Sequence, residues 1–141
     1  MHLILLVAHI GAAIVFIGPA TFASSAFARF ARTGTHEVAA ALHSVTRAYG
    51  AATLTVPAVG LALAAQRALF DQGWLMVAVG LFAVALVLLL GIVVPAQERA
   101  LDVLRTGTEI PPSLRLRLRL GAGFFALCWL IVLALMVMKP F

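Results

Sequence analysis

The chain has 141 residues, 64% of them hydrophobic and only 11% charged, with a net charge of +5 and a mean hydropathy of +1.12. Soluble domains carry roughly 25% charged residues, so this composition points to a membrane protein rather than a soluble domain. The bases stand at the ends of apolar runs, which makes anionic lipid head groups, not nucleic acid, their expected partner. With one cysteine, Cys128, the chain can form no internal disulfide and offers no cysteine-based metal site.

The first stretch, Leu3 to Ala28, holds no acid or base other than one imidazole, His9. A run of this length reads as a membrane span, over about residues 3–26. Ala26-Phe27-Ala28 resembles a signal-peptide cleavage site, but no Lys or Arg precedes the apolar run, which is too long for a signal sequence; a retained span is expected. Small residues (Ala8, Gly11, Ala12, Gly18, Ser24, Ser25) allow a neighbouring helix to approach, and Pro19 should bend the span. Arg29 and Arg32 follow, and Thr33-Gly34-Thr35 ends the helix, with Gly34 at its C′ position and Thr35 as N-cap of the next.

The second helix is expected from about His36 to Ala68, with an interfacial start carrying Glu37, His43 and Arg47 and a span over about 48–66. Pro57 kinks it, and Thr53 or Thr55 can satisfy the carbonyls this frees. The short turn Arg67–Gly73 forces an antiparallel hairpin. The third span, about 74–95, opens at Trp74, an interface anchor or a packing aromatic, and emerges after Pro95 as an amphipathic extension, with Leu101 and Leu104 on one face and Glu98, Arg99, Asp102 and Arg105 on the other. Thr106-Gly107-Thr108 ends it. Pro111-Pro112-Ser113 starts the fourth helix, whose Leu/Arg alternation, Leu114 to Leu120, would suit a strand in isolation. It runs directly into an apolar span, about 120–138, so a helix is expected, with Arg115, Arg117 and Arg119 reaching lipid phosphates.

Eight arginines lie in the regions following spans one and three, against Arg67 and Lys139 on the other side. The positive-inside rule then puts both termini outside and both basic loops in the cytoplasm. Arg32-Thr33-Gly34-Thr35 recurs as Arg105-Thr106-Gly107-Thr108, a short match that suggests two hairpins of like orientation.

Several side chains are candidates for chemistry. His9 lies about six residues into its span, roughly 9 Å below the outer boundary at 1.5 Å per residue. An ionisable group at such depth either bonds a neighbouring helix or binds a ligand or proton. His43 lies near the opposite boundary, too far away for one haem to be held by both. His2, His9, Met76, Met136 and Met138, with Met1, map to the outer third, and thioether with imidazole is a donor set suited to Cu(I); the alternative is that the methionines fill packing gaps. No carboxylate lies in an apolar core, so an acidic proton relay is unsupported. Glu98, Asp102 and Glu109 are expected to pair with nearby arginines, and no nucleotide-binding, hydrolase or metalloprotease motif is present.

The first-span His in LLVAHIGAAIVFIGP, the basic first loop, the Pro-bearing second span and the closing Met-Val-Met-Lys-Pro together resemble a bacterial family of small predicted integral membrane proteins. That family is more distantly similar to the copper-resistance D-type and HemJ-type membrane proteins. The resemblance implies a four-helix bundle and, through the distant relatives, haem b or copper chemistry centred on His9. The expected protein is all-α: one four-span transmembrane bundle in a bacterial inner membrane, with helices 2, 3 and 4 extended on the cytoplasmic side. Three functions fit: an accessory or scaffold subunit packed against other membrane subunits or a second copy, a haem- or copper-binding redox protein using His9, and a small dimeric transporter.

Overall fold

A computed structural model describes residues 1–33 and 35–140, without the side chain of His2. Four helices are long and apolar enough to cross a membrane: α1 (Leu3–Phe30), α2 (His36–Gln66), α3 (Gly73–Arg105) and α4 (Pro112–Met138). No strand occurs among the described residues. The expected all-α, four-span architecture is therefore present, with the helices alternating in direction. Both termini and the 67–72 turn lie at one end, here the terminal end, and the 31–35 and 106–111 connections lie at the other, the loop end.

Local chemistry accounts for the boundaries. Thr35, extended at φ −80° and ψ 156°, accepts from the Val38 N–H at 3.4 Å and so caps α2 as expected. The assignment of Gly34 as a C′ residue falls outside the described residues. α3 stops at Thr106, whose hydroxyl bonds the Val103 carbonyl at 2.8 Å, and Gly107 then takes a left-handed φ of 69°. Pro112 occupies the first turn of α4, where its missing N–H costs nothing.

The prolines act in two ways. α1 and α3 stay continuous through Pro19 and Pro95, and each widens into a π-helical segment just before its proline, Ala13–Ile17 and Val87–Val93. Such segments are where helices absorb a residue that the i→i−4 ladder cannot serve. α2 instead breaks at Thr53–Leu54, ahead of Pro57. There the Leu54 and Val56 N–H groups bond one residue closer than in an α-helix, to Ala51 and Thr53. This strands the carbonyls of Gly50 and Ala52, and the hydroxyls of Thr53 and Thr55 fill them at 2.6 and 2.8 Å. Both threonines do the work the sequence suggested for them.

Packing differs along the bundle. At the terminal end, backbones approach chiefly within hairpins: the start of α1 lies on Thr55–Gln66 of α2, and Gly73–Leu86 of α3 lies on α4. Extensive packing between hairpins is confined to the loop half, where Gly18–Phe30 meets α4 and His36–Ala52 meets Val94–Arg105. Phe27 and Leu118 are fully enclosed there, among Ala31, Ala39, Ala96 and Ala100. Gly121 lets α4 close on α3: a Cβ at that position would stand 2.7 Å from Val93 Cγ2. A central cluster of Ile17, Val56, Phe82, Leu89 and Phe125 joins the halves.

One expectation requires correction and one alternative is decided. Trp74, open from the sequence as an interface anchor or a packing aromatic, is a packing aromatic. It is 4% exposed, packed with Ala64 and Leu75, and the Lys139 ammonium stands 5.9 Å from its ring centroid. Glu98 meets an imidazole, His43, rather than an arginine; Asp102 does pair with Arg105, at 3.8 Å on the exposed surface.

Candidate functional site

His9 projects from α1 towards α2, and the α2 backbone is shaped to receive it. Its Nδ1 lies 2.9 Å from the Val56 carbonyl oxygen. A carbonyl only accepts, so Nδ1 carries the proton, and the Nε2 lone pair is left free. One turn further along α2, Gly60 makes the space: a Cβ there would stand 2.7 Å from His9 Cε1 and 3.0 Å from Nδ1. No side chain larger than hydrogen fits without displacing the ring. The imidazole is thus held by one nitrogen and presents the other, the orientation that metal-ligating histidines use. Half-buried, it has no hydrogen-bond partner at Nε2 among the described residues.

The sulfur atoms proposed to join His9 are distributed over other elements. Met136 packs against the cluster of Ala64, Trp74 and Leu75 and against the central cluster, which includes Val56. Met76 and Met138 are 58% and 73% exposed on the outer surface, and Met1 is exposed at the chain start. The His2 side chain lies outside the described residues. No group of three or more His, Cys, Asp or Glu side chains placed to hold a metal occurs among the described residues.

A second polar site lies in the loop half. Gln97 and Thr46 are fully buried between α3 and α2, and His43 is 12% exposed beside them. The directions of their bonds follow from one another. The Thr46 hydroxyl donates to Leu42 O at 2.9 Å, so its oxygen accepts from Gln97 Nε2 at 3.3 Å. That fixes Gln97 with Oε1 towards His43 Nδ1, 3.0 Å away, which must donate. His43 Nε2 is left facing Glu98 Oε1 at 3.9 Å, a contact that becomes an ion pair when the ring is protonated. His43 and Val56 are thirteen residues apart on α2, about 20 Å at 1.5 Å per residue, so the two imidazoles serve separate sites as their sequence positions implied. His36, one helical face with His43, accepts from Arg105 Nε at 3.3 Å.

Gln97 and Gly60 are the residues the sequence reading passed over. Gln97 stands on the same face as Val93, Leu101 and Leu104, at i−4, i+4 and i+7, so its burial was readable from that spacing. Gly60 had no such signal, because its role depends on which α2 turn lies opposite His9.

The three arginines assigned to lipid separate around α4. Arg115 faces a cleft of about 420 Å³ with Arg32, Thr33 and Glu109, at the two loop connections. Arg117 lines a different groove, with Arg99, between α4 and α3. Arg119 is exposed and borders neither.

No curated protein and no solved structure matches the chain. A family model described as "Predicted integral membrane protein (DUF2269)" matches residues 3–140, which is nearly its whole length. With four apolar helices of spanning length behind that match, this multi-pass integral membrane protein belongs to the DUF2269 family.

Proposed function

We propose that the protein is a small non-catalytic subunit of a bacterial cytoplasmic membrane, oriented with both termini outside, that docks through α1 against transmembrane helices of another subunit or a second copy. One observation carries this reading: the open glycine face of α1. Gly11 and Gly18, on either side of the π-helical segment Ala13–Ile17, would each meet nothing within 4 Å if given a Cβ. Beyond that segment, Gly18, Phe22 and Ser25 form an exposed row at four- and three-residue steps, and Ala8 and Val15 are exposed as well. In the membrane, association comes from close backbone approach rather than from hiding apolar surface, so a gap in an otherwise bulky face is a place for another helix. α1 is also the least enclosed helix, with 11% of its most apolar window buried against 33% for α3.

The experiment is purification in mild detergent followed by mass measurement of the intact complex. A stoichiometric partner or a second copy is expected, and Gly18→Leu should release it while the monomer stays folded. A strictly monomeric wild type, in detergent and in vesicles, overturns the reading.

His9 favours a second reading, a haem or copper protein. Its support is the orientation of the ring, with Nδ1 fixed on Val56 O and Nε2 free. An absorption spectrum and metal analysis decide it. A Soret band or bound copper lost on His9→Ala supports it, and a colourless, metal-free folded protein removes it.

A further inference from the structure

The groove between α3 and α4 at the loop end has an uncommon composition. Gly91, Ile92, Pro95, Ala96 and Arg99 line it from α3, at the i, i+1, i+4, i+5 and i+8 spacing of one helix face, and Arg117 lines it from α4. It encloses about 240 Å³. Eight residues separate Gly91 from Arg99, about 12 Å along the axis. One end is therefore a pair of guanidiniums on two helices, and the other is apolar backbone inside the spanning segment.

The charges at the polar end are unneutralised. Among the described residues the carboxylates within 4.0 Å of a base are Glu98, on His43, and Asp102, on Arg105; neither Arg99 nor Arg117 has one. Two guanidiniums bordering one groove match the oxygens of a phosphodiester and attract it at the membrane surface. The apolar end does not suit a free ion. Gly91 and Ile92 are exposed towards the space lipid chains occupy, and the missing side chain of Gly91 leaves a trough. A Cβ there would find its nearest neighbour, Val87 Cγ1, at 3.9 Å.

We propose that this groove binds one anionic phospholipid, with its phosphate between Arg99 and Arg117 and an acyl chain along Gly91 and Ile92. The site is more specific than a basic belt. Arg119, two residues from Arg117 and roughly 200° around the helix, takes no part.

The test is lipid retention by the intact protein in mixed micelles of equal phosphatidylglycerol and phosphatidylcholine, read by native mass spectrometry. The wild type should keep one phosphatidylglycerol in preference to phosphatidylcholine. Arg99→Gln and Arg117→Gln should each lower that preference about 5-fold, from roughly 1 kcal/mol per surface arginine, and Arg119→Gln should not change it. Gly91→Leu has room to fold, and should reduce retention of either lipid with every charge in place. An unchanged preference in the Arg99→Gln/Arg117→Gln double variant overturns the proposal, as does an equal loss in Arg119→Gln. Full retention in Gly91→Leu, with inorganic phosphate displacing the lipid, also overturns it and identifies a phosphate site instead.

Discussion

In the loop half, α2 and α3 are joined by the buried run from His43 through Gln97 to Thr46, and α4 presses Gly121 onto Val93. In the terminal half, backbones pack within each hairpin, α1 on α2 with one imidazole-to-carbonyl bond between them, and the hairpins lie side by side with little backbone packing between them. The difference follows from the solvent. Lipid does not drive apolar faces together, so a membrane bundle coheres where polar groups must find each other and where small residues let backbones close. Both devices are concentrated in the loop half. The terminal half, where His9 Nε2 has no partner among the described residues, is the part left more available for something outside the chain, and the exposed small residues of α1 continue from it into the loop half at Gly18 and Ser25.

Substitutions in the loop half should accordingly cost more. Phe27→Ala, which empties a fully enclosed site, should lower stability by about 3 kcal/mol, read as the largest fall in thermal midpoint of the set in one detergent. A fall no larger than that of terminal-half variants would contradict the contrast. Gln97→Leu leaves the His43 Nδ1 donor buried without its acceptor and should cost about 1–2 kcal/mol. Restoring the acceptor with Gln97→Glu should recover part of it. Gly60→Ala drives a methyl against the His9 ring and should cost about 1 kcal/mol; it also displaces Nε2, so any metal or haem spectrum dependent on His9 should shift with it. His9→Phe removes one interhelical bond and should cost least, about 0.6 kcal/mol. A loss as large as that of Phe27→Ala would mean the terminal half is as firmly held as the loop half.

The spans were legible because their signals are local: apolar length, Thr caps, Pro and Gly punctuation, and arginines at the boundaries. Thr53 and Thr55 were legible too, since the carbonyls that a proline disturbs lie on its own helix. What escaped depends on interhelical register. Trp74 reads equally as an interface anchor or a packing aromatic until Met136 and Lys139 are seen beside it. Glu98 reads as an arginine partner until the α2 turn bearing His43 arrives beside it. Gly60 is silent until His9 needs its space. The role of His9 was only half readable: its depth followed from counting residues, but which nitrogen it commits followed from the carbonyl opposite.

The two π-helical segments carry a consequence for how the chain tolerates changes in length. A wide turn of this kind is an α-helix holding one surplus residue. Removing a single residue from Ala13–Ile17 or Val87–Val93 should therefore leave an ordinary α-helix rather than a broken one. Elsewhere in the same spans a deletion of one residue turns every side chain beyond it by about 100° and detaches it from its neighbours. Deletion scanning should thus find two islands of tolerance in the middle of the membrane, each ending two residues before its proline, where indels are otherwise least expected.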